Sequence, residues 1–371
     1  MNWQSLREQF NDTWAFFDHA AVAPLPRAAV EAMRAYIDDM AVNGVTVFQR
    51  WYDRIQEVRA LTGRLLNADP LDVAFVPNTS AGISAVAEGF PWLAGDNIVT
   101  AAEEYPANQY PWMNLRDRGV EVRVVPSRGS RLMIDDLIAA VDSRTRLLSI
   151  SAVEFASGYR NDLAAIGEVC RSRGIFFFVD AIQSLGVFPF DVQDLPIDAL
   201  AADGHKWLLG PEGAGIFYLR REWVERLRVT TVGWNSVVGA HDFGTIDFKL
   251  KPHVGRWEGG TANIVGITGL GASMKLLVDL GIADVGERII SLTDHLVDGA
   301  ASYGWTVFSS RTPMERSGIV SLFKDGVSPY AVKKTCQERG IVVNVRGGRL
   351  RVSPHAYNTI EEIDRLLDVL K

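Results

Sequence analysis

The stretch "IDALAADGHKWLLGPEGAGIFYL" (197–219) joins two apolar segments through a turn that carries a histidine, a lysine and several glycines. The flanking segments, 197–203 and 214–219, have the length and composition of buried strands. Because Lys206 follows the first of them, we expect its amine to lie in a dry crevice. Burial disfavours the ammonium form, so a neutral, nucleophilic amine becomes accessible. Most lysines are solvated surface charges, so the turn alone is a weak indication.

Five further strands are predicted upstream of this turn, and helix-length periodic segments separate most of them. The strands are 73–77, 97–101, 120–126, 146–153 and 175–180. Residues 162–174 have leucine and isoleucine at helical spacing, with Asp162 placed to cap the helix and Gly174 placed to end it. This alternation is typical of an α/β fold built on a mostly parallel sheet.

The two flanks of this region predict more helices and a second, smaller unit. Two amphipathic helices precede it, at 24–40 and 48–67, and Pro26 opens the first. After about residue 255 the predicted elements are helices at 264–280, 284–302, 328–339 and 359–370 and paired strands at 340–346 and 349–354. That order of elements suits a small α+β domain beside the first.

The composition favours a compact protein that acts on small molecules. The chain has 371 residues, 47% of them hydrophobic, and a formal net charge of −7, with no Lys/Arg-rich tract, so a nucleic-acid partner is not expected. No secretory signal and no apolar run long enough to cross a bilayer are recognised, and the cytoplasm is the simplest compartment. Cys170 and Cys336 are too few for a disulfide framework or a CxxC metal site.

An anion site is predicted where the first strand of this region meets the next helix. In "VPNTSAG" (76–82), Thr79 and Ser80 bring hydroxyls and free backbone amides to a helix N-terminus. A simple N-cap is the alternative, since serine and threonine cap many helices.

A buried acid is predicted at the end of the strand "FFFVD" (176–180). The carboxylate of Asp180 would leave water there and must find a cation or hydrogen-bond donors. The alternative is an acid that caps the next turn. Gln183 follows three residues later.

Together these three strand ends predict a site for pyridoxal 5′-phosphate, because ligands gather at the carboxyl ends of strands in open α/β sheets. The cradle at Thr79 would hold the phosphate, Asp180 would keep the pyridine nitrogen protonated, and Lys206 would form the Schiff base. The protonated ring is an electron sink that stabilises a carbanion at the substrate Cα.

The order of motifs "FFDHAAVAPLP … NTSAG … VDAIQSLG … ADGHKW … GGTANIVGI … LRVSPHAYNT" resembles the class V aminotransferase superfamily of fold-type I enzymes. That group holds cysteine desulfurases, selenocysteine lyases, cysteine C–S lyases, kynureninases and isopenicillin N epimerase-like proteins. The resemblance spans nearly the whole chain. It implies a large cofactor-binding domain at 16–255 with a mostly parallel sheet, and a small domain formed by 1–15 and 256–371.

The resemblance also implies roles for individual residues around the cofactor. Lys206 matches the Schiff-base lysine, Asp180 the partner of the pyridinium nitrogen, and Gln183 the residue near the phenolic oxygen. His205, Thr79 and Ser80 match phosphate-binding positions. Tyr105 stands where the family stacks an aromatic ring on the pyridine, although a core tyrosine is an equal alternative on sequence grounds. Thr261 matches a residue that reaches the phosphate from the neighbouring subunit, which implies a homodimer.

Arg351 matches the arginine that pairs with the α-carboxylate of the amino-acid substrate, for which a guanidinium fork is well suited. Arg346 and Arg349 lie close by in the sequence, so the choice among the three stays open.

Three departures from the desulfurase pattern bear on the reaction. Desulfurases carry a nucleophilic cysteine on a loop shortly before the C-terminal arginine, and "VVNVRGGR" has none. Phe155 stands near where desulfurases place a polar residue. Asp203 replaces a serine near the phosphate, so we expect its side chain to turn away or to be hydrogen-bonded elsewhere. Persulfide chemistry is therefore not expected.

The sequence predicts an enzyme that acts at the Cα of a small amino acid, with Lys206 moving the proton. Transamination, β-elimination of the C–S lyase type and racemisation all stay open, with cysteine desulfurase or selenocysteine lyase as alternatives. A protein of this fold that has lost catalysis and serves in binding or regulation is a further alternative. A nucleotide-binding α/β protein is weaker, because neither G-x-G-x-x-G after the first strand nor a P-loop occurs.

Overall fold

The computed structural model describes residues 2–371. Its α-helices are α1 (Trp3–Arg7), α2 (Arg27–Asn43), α3 (Phe48–Leu66), α4 (Thr79–Gly89), α5 (Tyr110–Met113), α6 (Ile134–Ala140), α7 (Leu163–Arg173), α8 (Ile264–Leu280), α9 (Ile282–Ser302), α10 (Pro329–Glu338) and α11 (Ile360–Leu370). Its strands are β1 (Ala15–Phe16), β2 (Val73–Val76), β3 (Asn97–Ala101), β4 (Glu121–Val125), β5 (Thr145–Ser151), β6 (Phe176–Asp180), β7 (Ala199–Asp203), β8 (Gly215–Leu219), β9 (Thr306–Val307), β10 (Val320–Phe323), β11 (Ile341–Val342), β12 (Asn344–Arg346) and β13 (Arg349–Val352).

The central sheet contains the seven strands predicted between residues 73 and 219, in the order β2-β8-β7-β6-β5-β3-β4. Neighbours from β4 to β7 are parallel, whereas β8 is antiparallel to both β7 and β2. The predicted α/β fold with a mostly parallel sheet is therefore confirmed. Strands β5, β6 and β7 are buried along nearly their whole length. Such burial is expected for strands of a parallel sheet whose two faces are both covered by helices.

Local sequence signals set the crossover helices. Asp162 accepts a hydrogen bond from the amide of Ala165 at the start of α7, and Gly174 ends that helix at φ 67°. No α-helix lies between β7 and β8, because antiparallel neighbours need only a turn between them. That turn carries Lys206.

The C-terminal part forms a four-stranded antiparallel sheet in the order β12-β13-β10-β9. The predicted strand at 340–346 was wrong in one respect, since it divides at Val343 into two strands. Strand β11 pairs in parallel with β1 near the N-terminus, while β12 pairs with β13. The strand divides because its two halves have different partners. The partner of β11 is β1, which lies far away in the sequence, whereas the partner of β12 is β13.

The N-terminal segment and the long helices connect the two sheets. Helix α8 packs against α2 and α3 beside the central sheet, while the buried face of α9 contributes to the C-terminal core. The division into domains at residue 255 stays a prediction.

Among residues 2–371, no single helix is long and apolar enough to cross a bilayer; α8 and α9 meet that criterion only as a pair, and they are bent by 83°.

Candidate active site

A cavity of about 290 Å³ opens at the carboxyl ends of the central strands. It brings together eight of the nine predicted site residues: Thr79, Ser80, Tyr105, Asp180, Gln183, His205, Lys206 and Arg351. They come from segments up to 272 positions apart, between Thr79 and Arg351. Their common cavity shows that the strand ends meet as the sheet topology requires.

Lys206 lies in the turn after β7 and is only 8% exposed. Burial lowers the pKa of its amine to about 8, partly opposed by the charge of Asp180 and assisted by that of Arg351. Gly204 makes the tight turn possible, because a Cβ there would lie 2.7 Å from the carbonyl oxygen of Ala214. The side chain is therefore buried, as the sequence predicted, and burial favours the neutral form of its amine.

Asp180 ends β6 and is 1% exposed. Burial raises the pKa of its carboxyl to about 6, although the amide of Ile182 donates to Oδ1 at 3.0 Å and Lys206 lies nearby. Within residues 2–371, this amide is its single hydrogen-bond donor. A buried carboxylate with one donor is short of partners, and a protonated heterocyclic nitrogen in the cavity would supply the missing one.

Gln183 is held rigidly at the cavity wall. Its Nε2 donates to the carbonyl of Ala20 at 3.0 Å, and its Oε1 accepts from the indole Nε1 of Trp207 at 2.9 Å. One proton of the Nε2 group remains for a ligand. The side chain therefore ties the lysine turn to the N-terminal segment that forms part of the cavity.

The helix N-terminus at α4 differs in one detail from the expected cap. Asn78 is the N-cap, accepting from the amide of Ala81 at 2.9 Å, so neither Thr79 nor Ser80 is needed for that purpose. The Thr79 hydroxyl accepts from the amide of Asp203 at 2.9 Å and is buried, whereas Ser80 is exposed. Both face the cavity, together with the positive end of the helix.

Asp203 is hydrogen-bonded within its own turn, as one of the two expected arrangements requires. Its Oδ1 accepts from the amide of Gly204 at 2.7 Å, and its Oδ2 lies 3.0 Å from Nδ1 of His205. The carboxylate thus faces the imidazole of His205 beside the helix N-terminus.

Tyr105 and Phe155 form an aromatic wall of the cavity. Their rings meet edge to face at 5.2 Å, and the Tyr105 centroid lies 5.5 Å from Nζ of Lys206. Tyr105 is 46% exposed, so it is not the core tyrosine of the alternative interpretation. Its position suits a ring that covers a planar ligand.

The structure separates the three candidate arginines. Arg351 is 1% exposed; its Nη2 donates to Oδ1 of Asp18 and its Nη1 to the carbonyl of Phe155, both at 2.9 Å. Arg346 also lines the cavity, and no carboxylate among residues 2–371 lies within ion-pair distance of it. The Arg349 guanidinium instead lies 3.4 Å above the ring of Phe308, outside the cavity lining.

Sequence reasoning missed the acids that surround this site. Asp18 pairs with Arg351 across 333 positions, and no local pattern indicates such a contact. Glu104 and Glu154 are buried near Asp180; burial raises the pKa of Glu104 to about 7 and also raises that of Glu154. Both follow central strands, so their positions at strand ends were the available signal. Within residues 2–371, no cluster of His, Cys, Asp and Glu is suited to hold a metal ion.

Thr261 does not reach this cavity. It is exposed and lines a separate cavity of about 510 Å³, together with Trp257 and the face of α4 that bears Ala81 and Ala85. A contribution from the neighbouring subunit stays a prediction.

The residues present fit pyridoxal phosphate. The cavity has a buried amine of lowered pKa, a buried acid with a single hydrogen-bond donor, a helix N-terminus for a phosphate and an aromatic wall. Its volume lies near the lower end of the usual range for small-molecule sites, about 300–1,000 Å³.

The family model described as Aminotransferase class-V matches residues 15–366. A probable cysteine desulfurase of Methanothermobacter thermautotrophicus is 30% identical over 384 aligned residues, covering 96% of this chain and 94% of the relative. The solved structure of the cysteine desulfurase CsdA from Escherichia coli superposes with a TM-score of 0.89 at 28% identity, covering 100% of this chain and 97% of its own. The cystine C–S lyase C-DES superposes with a TM-score of 0.91 at 24% identity, covering 100% and 99%, and shows the fold alone.

Proposed function

Because this chain belongs to the aminotransferase class-V family, whose members use pyridoxal phosphate, we propose that it cleaves the Cβ–S bond of a sulfur-containing amino acid by β-elimination. The observation that carries the choice of reaction is the placement of its two cysteines. Neither lies at the cavity, so the chain has no thiol to accept sulfur from the substrate.

The residues that would hold the cofactor follow from the cavity. The α4 N-terminus with Thr79 and Ser80, together with His205, would bind the phosphate. Asp180 would pair with the ring nitrogen, and Tyr105 would cover the ring face. When bound, pyridoxal phosphate supplies an electron sink for a carbanion at the substrate Cα.

Lys206 carries the proton in this proposal. Its amine, with a pKa lowered to about 8 by burial, takes the proton from Cα. The electron pair of the Cα–H bond forms the Cα=Cβ double bond, and the sulfur departs with the pair of the Cβ–S bond. Tyr105 and Phe155 would border this point on one side.

The two cavity arginines favour a substrate with a second anionic group. Arg351 would bind the α-carboxylate, and its partial neutralisation by Asp18 limits the cost of keeping the guanidinium buried. Arg346 has no carboxylate partner among residues 2–371 and would meet the far end of the substrate. A disulfide amino acid such as cystine has the required second carboxylate.

Cysteine desulfurase is the second candidate, favoured by the 30% identity to a probable cysteine desulfurase. That reaction needs a cysteine close to the departing sulfur. Cys170 lies on α7 and Cys336 on α10, both no more than 1% exposed, and burial raises the pKa of their thiols to about 12 and about 11. A buried, protonated thiol is a poor nucleophile, so this candidate is the weaker one.

The double variant Cys170→Ala, Cys336→Ala tests the choice between the two reactions. Because neither thiol reaches the cavity, we expect its kcat for C–S cleavage to stay within about threefold of the wild type. The products separate the reactions: β-elimination yields pyruvate and ammonia, whereas desulfuration yields alanine. Alanine as the main product, or loss of activity in a variant whose thermal unfolding is unchanged, would support the desulfurase.

A homodimer is proposed from exposed apolar side chains in the segment 232–248, where Trp234 lines a cavity together with Thr261. We define this apolar patch as Val232, Trp234, Phe243, Ile246 and Phe248, whose exposed fractions are 48%, 40%, 74%, 96% and 72%. The rings of Trp234 and Phe243 lie 6.0 Å apart, and large exposed apolar side chains of this kind often mark protein–protein interfaces. A second copy of the chain would cover the patch and bring Thr261 to the neighbouring cavity.

Analytical ultracentrifugation tests the dimer. We expect the wild type to sediment as two chains and the variant Ile246→Lys, Phe248→Lys to shift towards one chain, because two buried ammonium groups would face an apolar surface. Replacing the exposed Leu93 with lysine, outside the patch, is the control. Sedimentation of the wild type as a single chain at micromolar concentration would contradict the proposed assembly.

A further inference from the structure

Asn344 lies between the two cavity arginines without lining the cavity itself. It is the first residue of β12 and pairs in register with Arg351 of β13. Its Nδ2 donates to Oδ2 of Asp18 at 2.6 Å, and its Oδ1 accepts from Nη1 of Arg346 at 3.1 Å. Since Asp18 accepts from Arg351 through its other oxygen, one hydrogen-bonded chain joins the two guanidinium groups.

The charges around Asn344 determine which way its amide points. A carboxylate can only accept, so the amide nitrogen must face Asp18. The guanidinium of Arg346 and the ammonium of Lys333, which lies 3.1 Å from Oδ1, can only donate, so the amide oxygen must face them. The reversed amide would lose these bonds at once, and the network therefore has a single arrangement.

Asp18 is itself held in place by backbone pairing and by burial. Its backbone bridges to Ser353, and its side chain is largely buried. Asn344 thus connects a rigid carboxylate to Arg346, which is only half-buried and has no ion-pair partner among residues 2–371. Without this bond, Arg346 would keep only the hydrogen bond from Nη1 to the carbonyl of Val345.

We propose that Asn344 is a positioning residue that fixes Arg346 relative to Arg351 and thereby sets the preference for amino acids with a second carboxylate. The proposal rests on the proposed function, in which Arg351 binds the α-carboxylate and Arg346 the distal one. Asn344 acts through the arginines, since it does not border the cavity.

Two linear acids of equal length test this directly on the holoenzyme, without turnover. Octanedioate places its carboxylates as far apart along the chain as cystine does, and octanoate has one carboxylate. The dissociation constants of both are measured by isothermal titration calorimetry, and their ratio defines the dicarboxylate preference. A change in the binding of the methylene chain affects both acids and cancels in the ratio. The ratio therefore reports on the second carboxylate.

Asn344→Leu is expected to lower the dicarboxylate preference by about tenfold or more, as loss of an ordered charge-assisted hydrogen bond predicts. Lys333→Met is the matched control, because it removes another donor to the same oxygen but leaves the bonds from Asn344 to Asp18 and Arg346 in place; its ratio should stay at the wild-type value. If Asn344→Leu does not retain its cofactor, Asn344→Ser is measured and should shift the ratio in the same direction.

Arg346→Met separates failure of this inference from failure of the proposed function. We expect Arg346→Met to lower the preference, and Asn344→Leu to add nothing in that background, because both act on one contact. If the wild type shows no preference, or Arg346→Met does not lower it, the second-carboxylate site of the proposed function is wrong. If Arg346→Met lowers the preference but Asn344→Leu and Asn344→Ser do not, the positioning role of Asn344 is overturned while the proposed function stands.

Discussion

Lys206→Ala is expected to lower the turnover of a sulfur-containing amino acid by at least about 10³-fold, the size of effect that general acid–base groups commonly have. Alanine cannot take the Cα proton, and within residues 2–371 no other lysine lines the cavity. The fold should be preserved, because Lys206 forms no ion pair within residues 2–371 and burying its amine is itself costly, as its lowered pKa shows. Steady-state kinetics and thermal unfolding of the same preparations measure both parts.

Borohydride reduction gives this prediction a readout that does not depend on turnover. The reduced cofactor adduct of the wild type should map to the peptide that contains Lys206, and no adduct should form in Lys206→Ala. Lys324→Ala is the control: this lysine donates to the carbonyl of Tyr303, far from the cavity, and its loss should leave both kinetics and labelling unchanged. Turnover of Lys206→Ala within tenfold of the wild type would remove Lys206 from the mechanism, and a wild type without an adduct would favour the non-catalytic binding protein.

Asp180→Asn is expected to lower kcat by about 10²–10³-fold, as the loss of one preorganised charge at a reacting centre does. A neutral amide cannot hold a proton on the ring nitrogen of the cofactor, so the ring would draw electrons from Cα less strongly. The substitution preserves the shape of the side chain and an acceptor for the amide of Ile182. A matched control is Asp198→Asn, since this half-buried carboxyl also has a raised pKa but lies outside the cavity, and its kcat should stay within about threefold of the wild type.

The same variant should have the opposite effect on the stability of the apoprotein. Burial raises the pKa of Asp180 from an ordinary 3.8 to about 6, so folding takes up a proton at this group between those values. The contribution of this group to the free energy of unfolding is fully present below about pH 4. It falls by about 3 kcal/mol in total as the pH rises through 6. Asp180→Asn has no such group and should lose none of it.

Urea unfolding of the apoproteins at pH 4.5 and pH 8 measures this difference. The free energy of unfolding of Asp180→Asn, taken relative to that of the wild type, should be higher at pH 8 than at pH 4.5. A stability difference that is the same at both pH values would mean that Asp180 is a structural hydrogen-bond acceptor in the apoprotein, and would argue against a carboxylate held for a cofactor.

The central sheet was predictable because its signal is local. Each strand is a short apolar run whose length and flanking residues distinguish it from a helix, and the seven runs between residues 73 and 219 are all strands. A charged residue at the end of a buried strand is also a candidate site residue, since few hydrogen-bond or charge partners are available to it there. Lys206 and Asp180 were recognised in this way, and both lie at the same cavity.

The small antiparallel sheet was less predictable because its pairing depends on distant segments. The run at 340–346 has one continuous strand-like pattern, yet β11 pairs with β1 and β12 with β13. The sequence also left open which residue caps α4. Asn, Thr and Ser in succession all suit an N-cap, and only the backbone conformation shows that Asn78 takes it.

The amino-acid sequence by itself determined the α/β class, the strand ends that carry Lys206 and Asp180, and the chemistry of a buried amine beside a buried acid. These conclusions depend on apolar periodicity and on the cost of burying charge, which act over a few residues. Only the tertiary structure decided which arginines face the cavity. The guanidinium groups of Arg346, Arg349 and Arg351 are equivalent in the sequence, but Asp18, Asn344 and Phe308 hold them in different directions. The contact between Asp18 and Arg351 joins residues 333 positions apart, and only the packed fold brings them within hydrogen-bond distance.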